Sequence, residues 1–188
     1  MMKRDQNISE SDELLMQRFA RSGEQSDFIT IYHRHYAPLC KYIAWMSGDL
    51  ELSKDLAQSI LIKVYERPEL FDARRSFRVW LYSIANNRWK NEKRNAATHH
   101  KHLQGISQWP NSDEDRKPDP RRLANVKLAI QQLNEQQRKV FLLKYSNNLT
   151  IEEISQVCDC SQGTVKSRLF YALRRIREYL KISKVNEI

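Results

Sequence analysis

The sequence predicts an all-α fold of two small helical domains joined by a flexible linker, the C-terminal one a helix-turn-helix. Composition is the first reason: only 4 of the 188 residues are Gly and 5 are Pro, and residues of high helix propensity are abundant. Second, apolar residues recur at helical spacing in two separate stretches. Third, the segment between them, Ala96 to Pro120, has little apolar periodicity and carries an acidic patch at 113–115.

These boundaries divide the chain into three parts. We expect the N-terminal domain at 10–95, the linker at 96–122 and the C-terminal domain at 123–182. The linker composition, with Trp109-Pro110 and two further prolines, is typical of a mostly unstructured connection.

The N-terminal domain is predicted to begin with two helices. Ser11 caps the first, and Asp12 and Glu13 place carboxylates in its first turn, where they suit the helix dipole. A second helix runs from about Asp27 to Met46, with Pro38 as a break or kink. The run Ser47-Gly48-Asp49 ends it.

Two more helices complete this domain. Ser53 opens a third helix that reaches about Tyr65, and the residues from Pro68 to Ser76 are predicted to form a loop. Ser76 then caps a fourth helix that runs from Phe77 to about Arg94.

The fourth helix carries two distinct faces. Its apolar stripe consists of Phe77, Trp80, Leu81, Ile84 and Ala85. Amide, hydroxyl and basic groups cluster on another face: Ser83, Asn86, Asn87, Lys90 and Arg94. Such groups contact both bases and phosphates, and nearby aromatic side chains stack on unpaired bases; the candidates are Phe71, Trp80, Tyr82 and Trp89. The alternative is that Trp80 belongs to the core and Trp89 covers its edge.

The C-terminal domain has the pattern of a helix-turn-helix. A helix starts at Asp119-Pro120, with Pro at the first helical position. Thr150 and Glu153 fit a capping box before a short helix. The tight turn Asp159-Cys160-Ser161 follows, and Ser161 caps a longer basic helix. The second helix of such a unit enters the major groove of DNA.

This last helix separates an apolar stripe from a polar and basic face. The stripe consists of Val165, Leu169, Ala172, Leu173, Ile176 and Leu180. The predicted DNA contacts are Ser161, Gln162, Gly163, Thr164, Lys166, Ser167, Arg168, Tyr171, Arg174 and Arg175. Polar residues near the helix start can reach base edges, and basic residues meet phosphates. An amphipathic helical hairpin with a solvated basic face remains the alternative.

Charge is distributed unevenly along the chain. The net charge is +9, yet residues 5–70 carry 7 basic and 11 acidic side chains. Residues 73–101 carry 8 basic side chains against Glu92 alone, and residues 161–181 carry 6 against Glu178 alone. Two separate basic segments that follow an acidic N-terminal segment indicate two contact points on one long polyanion.

Other classes of function find little support. A mean hydropathy of −0.72 and the lack of a long apolar run argue against membrane insertion. With no secretory signal in view and three cysteines, we expect a cytoplasmic protein. The motifs of nucleotide-binding, esterase and zinc-protease sites are missing, so we predict no enzyme, no cofactor and no small-molecule substrate.

The histidine and cysteine groups are not expected to form a metal site. The groups are His33-x-His35, His99-His100-x-His102 and Cys158-x-Cys160. None offers a tetrahedral set of about four ligands, so we predict no metal. Redox sensing by Cys158 and Cys160 stays open.

Motifs in the C-terminal domain resemble those of extracytoplasmic-function sigma factors, which are small specificity subunits of bacterial RNA polymerase. They are Gln137 to Tyr145, Leu149 to Ile154, and Gly163 to Leu169. The resemblance implies that this domain binds the minus-thirty-five promoter element through the helix from Ser161 to about Glu178, and packs on the flap of the polymerase β subunit. Departures from the family pattern are Ser155, Cys158 and Cys160.

The fourth helix resembles the promoter-melting segment of the same family. The matching residues are Trp80-Leu81, Ile84-Ala85-Asn86-Asn87 and Arg94, with Asn91 where an Asp is common. The resemblance implies that this helix and the loop before it open and hold the minus-ten element, including one flipped base. The implied contacts are Phe71, Arg74, Arg75, Ser83, Asn86, Asn87, Lys90 and Arg94.

The third helix carries the family's Asp-Leu-x-Gln pattern as Asp55-Leu56-Ala57-Gln58, although Ser59 and Leu61 replace the usual acidic residue and Phe. The resemblance implies that Asp55, Leu56 and Gln58 dock on the β′ coiled coil of core RNA polymerase, and that an anti-sigma factor is a further partner. It therefore implies promoter-specific transcription initiation with melting that needs no ATP. A stand-alone helix-turn-helix regulator is the alternative, but it leaves the helix at 77–94 without a role.

Overall fold

The computed structural model describes residues 10–96 and 120–185, and within these ranges the chain is all helical. The helices are α1 (Asp12–Ser22), α2 (Gln25–Ser47), α3 (Leu50–Glu66), a short 3-10 helix (Pro68–Leu70), α4 (Phe77–Ala96), α5 (Pro120–Gln131), α6 (Glu135–Tyr145), α7 (Ile151–Cys158) and α8 (Gln162–Val185). The predicted all-α class is confirmed. The predicted linker at 96–122 lies largely outside the described residues. None of the described helices is both long and apolar enough to cross a membrane.

Polar caps fix most helix starts as predicted. The Ser11 hydroxyl accepts a hydrogen bond from the Leu14 amide at 3.3 Å. Thr150 and Glu153 form both bonds of a capping box at the start of α7. Asp159 ends α7 in the left-handed region at φ 51°, and this allows the chain to turn sharply into α8.

One prediction about α3 is wrong, and the prediction for α2 is corrected in part. Helix α2 does not break at Pro38, and buried residues that follow the proline, such as Leu39 and Ile43, keep this part of the helix in the core. Helix α3 begins three residues before the predicted start, with Asp49 as its cap: the carboxylate accepts from the Leu52 amide at 3.0 Å. Ser53 is instead a buried helical residue.

The helices form two halves, α1–α4 and α5–α8, and the buried apolar residues of both halves join in one continuous core. In the N-terminal half α1, α3 and α4 pack against α2, and in the C-terminal half α5, α6 and α7 pack against α8. Fully buried residues from both halves include Met16, Ile31, Leu39, Leu81, Val140, Leu143, Ile154 and Val165. The predicted apolar stripe of the last helix is confirmed at Val165, Leu169, Ala172 and Ile176, which are all buried.

The two halves also pack against each other, mainly through α4 on α7 and α2 on α6. The Tyr82 hydroxyl of α4 donates to the side-chain oxygen of Asn147, and both residues are buried. The Asn86 amide donates to the Val157 carbonyl at 3.3 Å. At one edge of this contact Lys93 pairs with Glu135. The face of α4 that points to α7 is therefore covered by the C-terminal half.

Candidate nucleic-acid interface

Helix α8 presents its polar face to solvent. Because Val165, Leu169 and Ala172 are buried, the residues on the opposite side of the helix point outward. Eight of the ten predicted DNA contacts are exposed: Ser161, Gln162, Gly163, Lys166, Ser167, Tyr171, Arg174 and Arg175. Thr164 and Arg168 are partly buried at the sides of this face. We call this exposed side of α8 the α8 face.

The start of α8 is held rigidly by its own side chains. The Ser161 hydroxyl accepts from the Thr164 amide at 3.1 Å, and the two side-chain oxygens lie 3.0 Å apart. Ser161 therefore serves first as the helix cap. A Cβ built on Gly163 would meet only the Ser161 hydroxyl, at 3.7 Å, so internal packing does not require a glycine there. The missing side chain leaves space for an external group to approach the backbone.

The basic side chains of α8 are oriented by neighbours. Arg174 pairs with Glu178 one turn later at 3.0 Å, and both side chains are more than half exposed. Such an exposed pair contributes little to stability. Arg168 donates to the Cys160 sulfur at 3.7 Å across the turn. In both cases the guanidinium keeps further N–H donors that can bind phosphate.

Phe170, which is not among the predicted contacts, also lies on the α8 face and is 63% exposed. Its ring meets that of Tyr171 edge-on, with 5.5 Å between the ring centres. The signal was available in the sequence, because 100° per residue places Phe170 away from the apolar stripe. The contacts predicted for α8 comprise only glycine, polar and basic residues, so Phe170 is absent from them.

The residues of α4 that are predicted to take part in promoter melting differ in their exposure to solvent. Asn87, Lys90 and Arg94 are exposed along one face of the helix. Ser83 is partly buried and donates to the Val79 carbonyl at 2.7 Å. Asn86 is only 2% exposed because α7 covers it, and its side-chain oxygen has no hydrogen-bond partner among the described residues.

In the loop before α4 two arginine side chains are exposed to solvent, whereas the aromatic residue is buried. The side chains of Arg74 and Arg75 are 90% and 81% exposed. Phe71 is buried, with its ring centre 5.4 Å from that of Phe77, so it anchors the loop and cannot stack on a base in this structure. The carboxylate of Asp72 accepts from the side chain and the backbone amide of Arg74. These hydrogen bonds lower the pKa of Asp72 and shape the loop.

The aromatic side chains near α4 are less available than the sequence suggested. Tyr82 is 2% exposed, so its ring is closed to a nucleic-acid base while the two halves are packed. Trp80 and Trp89 are partly buried against the core, as the alternative reading of these residues expects.

Helix α3 exposes two of the three residues predicted to bind the polymerase. Asp55 and Gln58 lie on its outer face, whereas Leu56 is 5% exposed and belongs to the core. The outer face continues toward the end of the helix as a groove of about 470 Å³, lined by Ser59, Ile62, Lys63, Glu66, Arg67 and Leu70. The surface is thus polar at its start and partly apolar at its end.

The cysteine and histidine groups were also considered in the sequence as metal ligands or redox sensors. Among the described residues no three His, Cys, Asp or Glu side chains are arranged to hold a metal; His99, His100 and His102 lie outside those residues. Cys158 and Cys160 are free thiols, and burial raises the pKa of Cys158 to about 11.

Two family models match the chain, one in each half. Sigma-70 region 2 matches residues 31–98, and Sigma-70, region 4 matches residues 123–176. The ECF RNA polymerase sigma factor SigL of Mycobacterium tuberculosis is 29% identical over 163 residues, which cover 84% of this chain and 91% of SigL. SigW of Bacillus subtilis, also an ECF sigma factor, is 27% identical over 176 residues, which cover 86% of this chain and 92% of SigW.

Solved structures show the same fold. The sigma factor RpoE from Bartonella quintana, in complex with the anti-sigma factor NepR, has a TM-score of 0.71 at 22% identity, covering 83% of this chain and 98% of RpoE. CnrH in complex with the cytosolic domain of CnrY has a TM-score of 0.69 at 22% identity, covering 92% and 99%. With both sigma-70 regions present in order and relatives that match over most of their length, the chain belongs to the extracytoplasmic-function family of RNA polymerase sigma factors.

Proposed function

We propose that this sigma factor divides its work between the two halves, with α8 reading the minus-thirty-five element as duplex and α4 holding the melted minus-ten element. The observation that carries the proposal is the α8 face, a polar and basic surface on the side of the helix opposite a largely buried apolar stripe. An exposed basic face at the second helix of a helix-turn-helix is suited to the major groove.

Run-off transcription with purified core polymerase tests the first part. Lys166→Ala and Arg174→Ala should each weaken promoter binding by about 1–3 kcal/mol in a salt-dependent way. Arg21→Ala is a matched control, since it removes one exposed charge at the far end of α1. Unchanged promoter affinity in both α8 variants would exclude α8 from the DNA contact.

The proposed domain division follows the two halves. Residues 10–95 would form the polymerase-binding and minus-ten domain, 96–122 the linker, and 123–182 the minus-thirty-five domain. The packing of α1, α3 and α4 on α2, and of α5, α6 and α7 on α8, supports this division, as do the two family models, which match one half each.

For melting, we place the contacts to the opened strand at Arg74, Arg75, Asn87, Lys90 and Arg94. Their exposure and positive charge support this role. Binding to unpaired bases would drive opening without ATP, since each stacked base contributes about 1–3 kcal/mol. Asn87→Ala should slow open-complex formation on duplex promoters more than on pre-melted ones. Equal slowing on both templates would argue against a melting role.

For core polymerase we place the contact on the exposed Asp55 and Gln58 and on the groove beyond them. Leu56 then acts from the core by fixing α3. The double variant Asp55→Ala with Gln58→Ala should lower the affinity for core polymerase while leaving the unfolding midpoint unchanged. A normal affinity would move the contact elsewhere on the protein.

The remaining parts of the proposal concern partners and cellular location. RpoE was solved with the anti-sigma factor NepR and CnrH with the cytosolic domain of CnrY, and we propose an anti-sigma partner for this chain. It would work in the cytoplasm as a non-enzymatic initiation factor. A stand-alone regulator would leave core polymerase unable to start at specific promoters, so the run-off assay also decides between the two functions.

A further inference from the structure

We propose that Glu13, in the first turn of α1, positions the loop before α4 for promoter melting by holding the first backbone amide of α4. This role rests on the proposed function, in which Arg74, Arg75 and α4 contact the opened strand. Glu13 acts through the loop and does not touch DNA, so it is a positioning residue supplied from a different helix.

The start of α4 lacks the acidic side chains that favour a helix N-terminus. Its first turn contains no Asp or Glu, and Arg78 stands there, close in sequence to Arg74 and Arg75 of the preceding loop. Because a helix N-terminus carries a partial positive charge, cations at this end are unfavourable neighbours. A negative charge brought from elsewhere in the protein therefore stabilises this end of α4.

Glu13 supplies that charge together with a hydrogen bond. Its carboxylate accepts from the backbone amide of Phe77 at 2.9 Å, one of the amides at a helix start that have no partner within the helix. The cap provided by the chain next to α4 is longer, since the Ser76 hydroxyl accepts from the Val79 amide at 3.4 Å. Glu13 thus makes the shorter bond at this helix start, and its acceptor is charged.

A second carboxylate reaches this helix start from the other half of the protein. The Ser76 hydroxyl donates to Glu153 of α7 at 3.2 Å, so this contact depends on the packing of α4 against α7. Glu13 and Phe77 both belong to the N-terminal half. Their hydrogen bond therefore stays available when the two halves separate, and the Glu153 contact does not.

The start of α1 is itself fixed by the residue next to Glu13. The Asp12 carboxylate accepts from Nη1 of Arg34 at 2.8 Å and lies 2.7 Å from Nε2 of His35. Both partners belong to α2, so Asp12 ties the first turn of α1 to α2 while Glu13 reaches α4. The sequence predicts that both carboxylates serve the dipole of α1, and in the structure each of them also binds another helix.

The amide that Glu13 holds lies at the end of the loop with the two exposed arginines. Phe77 comes two residues after Arg75. At the other end of the loop the ring of Phe71 is buried, with its centre 5.4 Å from that of Phe77. Residues 72–76 are therefore held at both ends. Without the Glu13 bond one end is released, and ordering the loop on the opened strand then costs conformational entropy.

Open-complex formation by preassembled holoenzyme tests this role. The promoter is selected from a random library with the wild-type holoenzyme, and the dependence of the rate on holoenzyme concentration separates initial binding from the opening step. Glu13→Ala should slow the opening step about tenfold, as expected for one lost hydrogen bond to a charged group. Initial binding should stay unchanged, because α8 is not altered. Glu13→Gln keeps an oxygen that can accept from the Phe77 amide, so it should retain most of the opening rate.

Asp49→Ala is the matched control for a general loss of stability. It also removes a carboxylate that accepts from a backbone amide at a helix start, at 3.0 Å, but the helix is α3. It should lower the unfolding midpoint about as much as Glu13→Ala does, yet open the promoter at the wild-type rate.

Hydrogen exchange of the free protein, followed by mass spectrometry, measures the position of the loop directly. Peptides that cover residues 72–78 should exchange faster in Glu13→Ala than in the wild type or in Asp49→Ala. Glu13→Asp, with a side chain shorter by one methylene, is a milder second variant that should change both measurements in the same direction. Three results would each overturn the proposal: a wild-type opening rate in both Glu13→Ala and Glu13→Asp, equal slowing by Asp49→Ala, or unchanged exchange over residues 72–78.

Failure of this role can be told apart from failure of the proposed function. If Asn87→Ala slows open-complex formation on duplex promoters but Glu13→Ala does not, only the positioning role of Glu13 is wrong. If neither variant slows it, α4 takes no part in melting, and the proposed function fails together with the role of Glu13.

Discussion

Two buried tyrosines in contact with each other differ in one hydrogen bond, and this difference predicts opposite effects of the same substitution. Tyr42 and Tyr82 are 1% and 2% exposed, and their ring centres lie 5.3 Å apart. The Tyr82 hydroxyl donates to Asn147, whereas the Tyr42 hydroxyl has no partner among the described residues. Burial raises the pKa of both hydroxyls, so both stay protonated at neutral pH.

The expected change in the free energy of unfolding depends on whether removal of the hydroxyl leaves a buried hydrogen-bond partner unpaired. Tyr82→Phe deprives the buried oxygen of Asn147 of its donor, which should lower the free energy of unfolding by about 1–3 kcal/mol. Tyr42→Phe removes a buried hydroxyl that makes no hydrogen bond, so the free energy of unfolding should stay level or rise by up to about 1 kcal/mol. For a chain of this length each kcal/mol moves the melting temperature by about 2–4 °C.

Circular dichroism in urea and on heating measures both variants. Adding Asn147→Ala to each background completes a double-mutant cycle, and the coupling energy should be clear with Tyr82 and near zero with Tyr42. Because Tyr82 and Asn147 belong to different halves, the cycle also tests the packing of α4 on the C-terminal half. Equal destabilisation by Tyr82→Phe and Tyr42→Phe would refute the reasoning.

Three further predictions concern single sites. Gly163→Ala should leave the free energy of unfolding unchanged or raise it by up to about 1 kcal/mol, since the new Cβ meets only a hydroxyl at 3.7 Å. The same substitution should weaken promoter binding measured by fluorescence anisotropy. Undiminished binding would mean that DNA does not approach the backbone at this residue. Hydrogen bonds from Arg18 lower the pKa of Asp27. The ionised carboxylate therefore stabilises the folded protein fully above about pH 4, and this stabilisation is lost as the pH falls through the lowered pKa. Urea unfolding midpoints measured from pH 5 to 2 should fall more steeply in the wild type than in Asp27→Asn, and parallel curves would contradict this. Burial raises the pKa of Cys158 to about 11, so at pH 8 this thiol should react with a disulfide reagent much more slowly in the folded protein than in the urea-unfolded protein. Peptide mass spectrometry follows the reaction, and similar rates in the two states would show that the folded thiol is accessible.

Helix starts could be predicted where one polar residue precedes an apolar repeat. Ser11, Thr150 and Ser161 each cap a helix as expected. At the start of α3 the chain offers both Asp49 and Ser53, and the sequence does not decide between them. The structure uses Asp49, because Ser53 is fully buried inside the N-terminal core, and burial depends on neighbours that local propensity does not describe.

The α8 face could be predicted almost completely, since helical periodicity alone separates it from the core. The exposure of the predicted minus-ten contacts on α4 and in the loop before it could not be predicted, because it depends on contacts with residues far along the chain. Asn86 is covered by Val157, which is 71 residues away, and Tyr82 by Asn147, which is 65 residues away. Phe71 is buried by Phe77 and Trp80, although the loop composition suggested an exposed ring.

The packing of the two halves conflicts with simultaneous contact to both promoter elements. The side-chain nitrogen of Asn86 lies 3.3 Å from the carbonyl oxygen of Val157. Ser161 follows Val157 closely in the chain, and each further residue adds at most 3.8 Å, so Asn87 lies within about 30 Å of Ser161. Elements centred near minus ten and minus thirty-five are separated by about 25 base pairs, or about 85 Å of straight duplex at about 3.4 Å per pair. The proposed DNA contacts therefore require α4 and α7 to separate. The hydrogen bond between Tyr82 and Asn147 stabilises the closed protein and opposes this step. Tyr82→Phe should thus lower stability yet speed holoenzyme formation in stopped-flow measurements, and slower formation would show that the halves do not open along this surface.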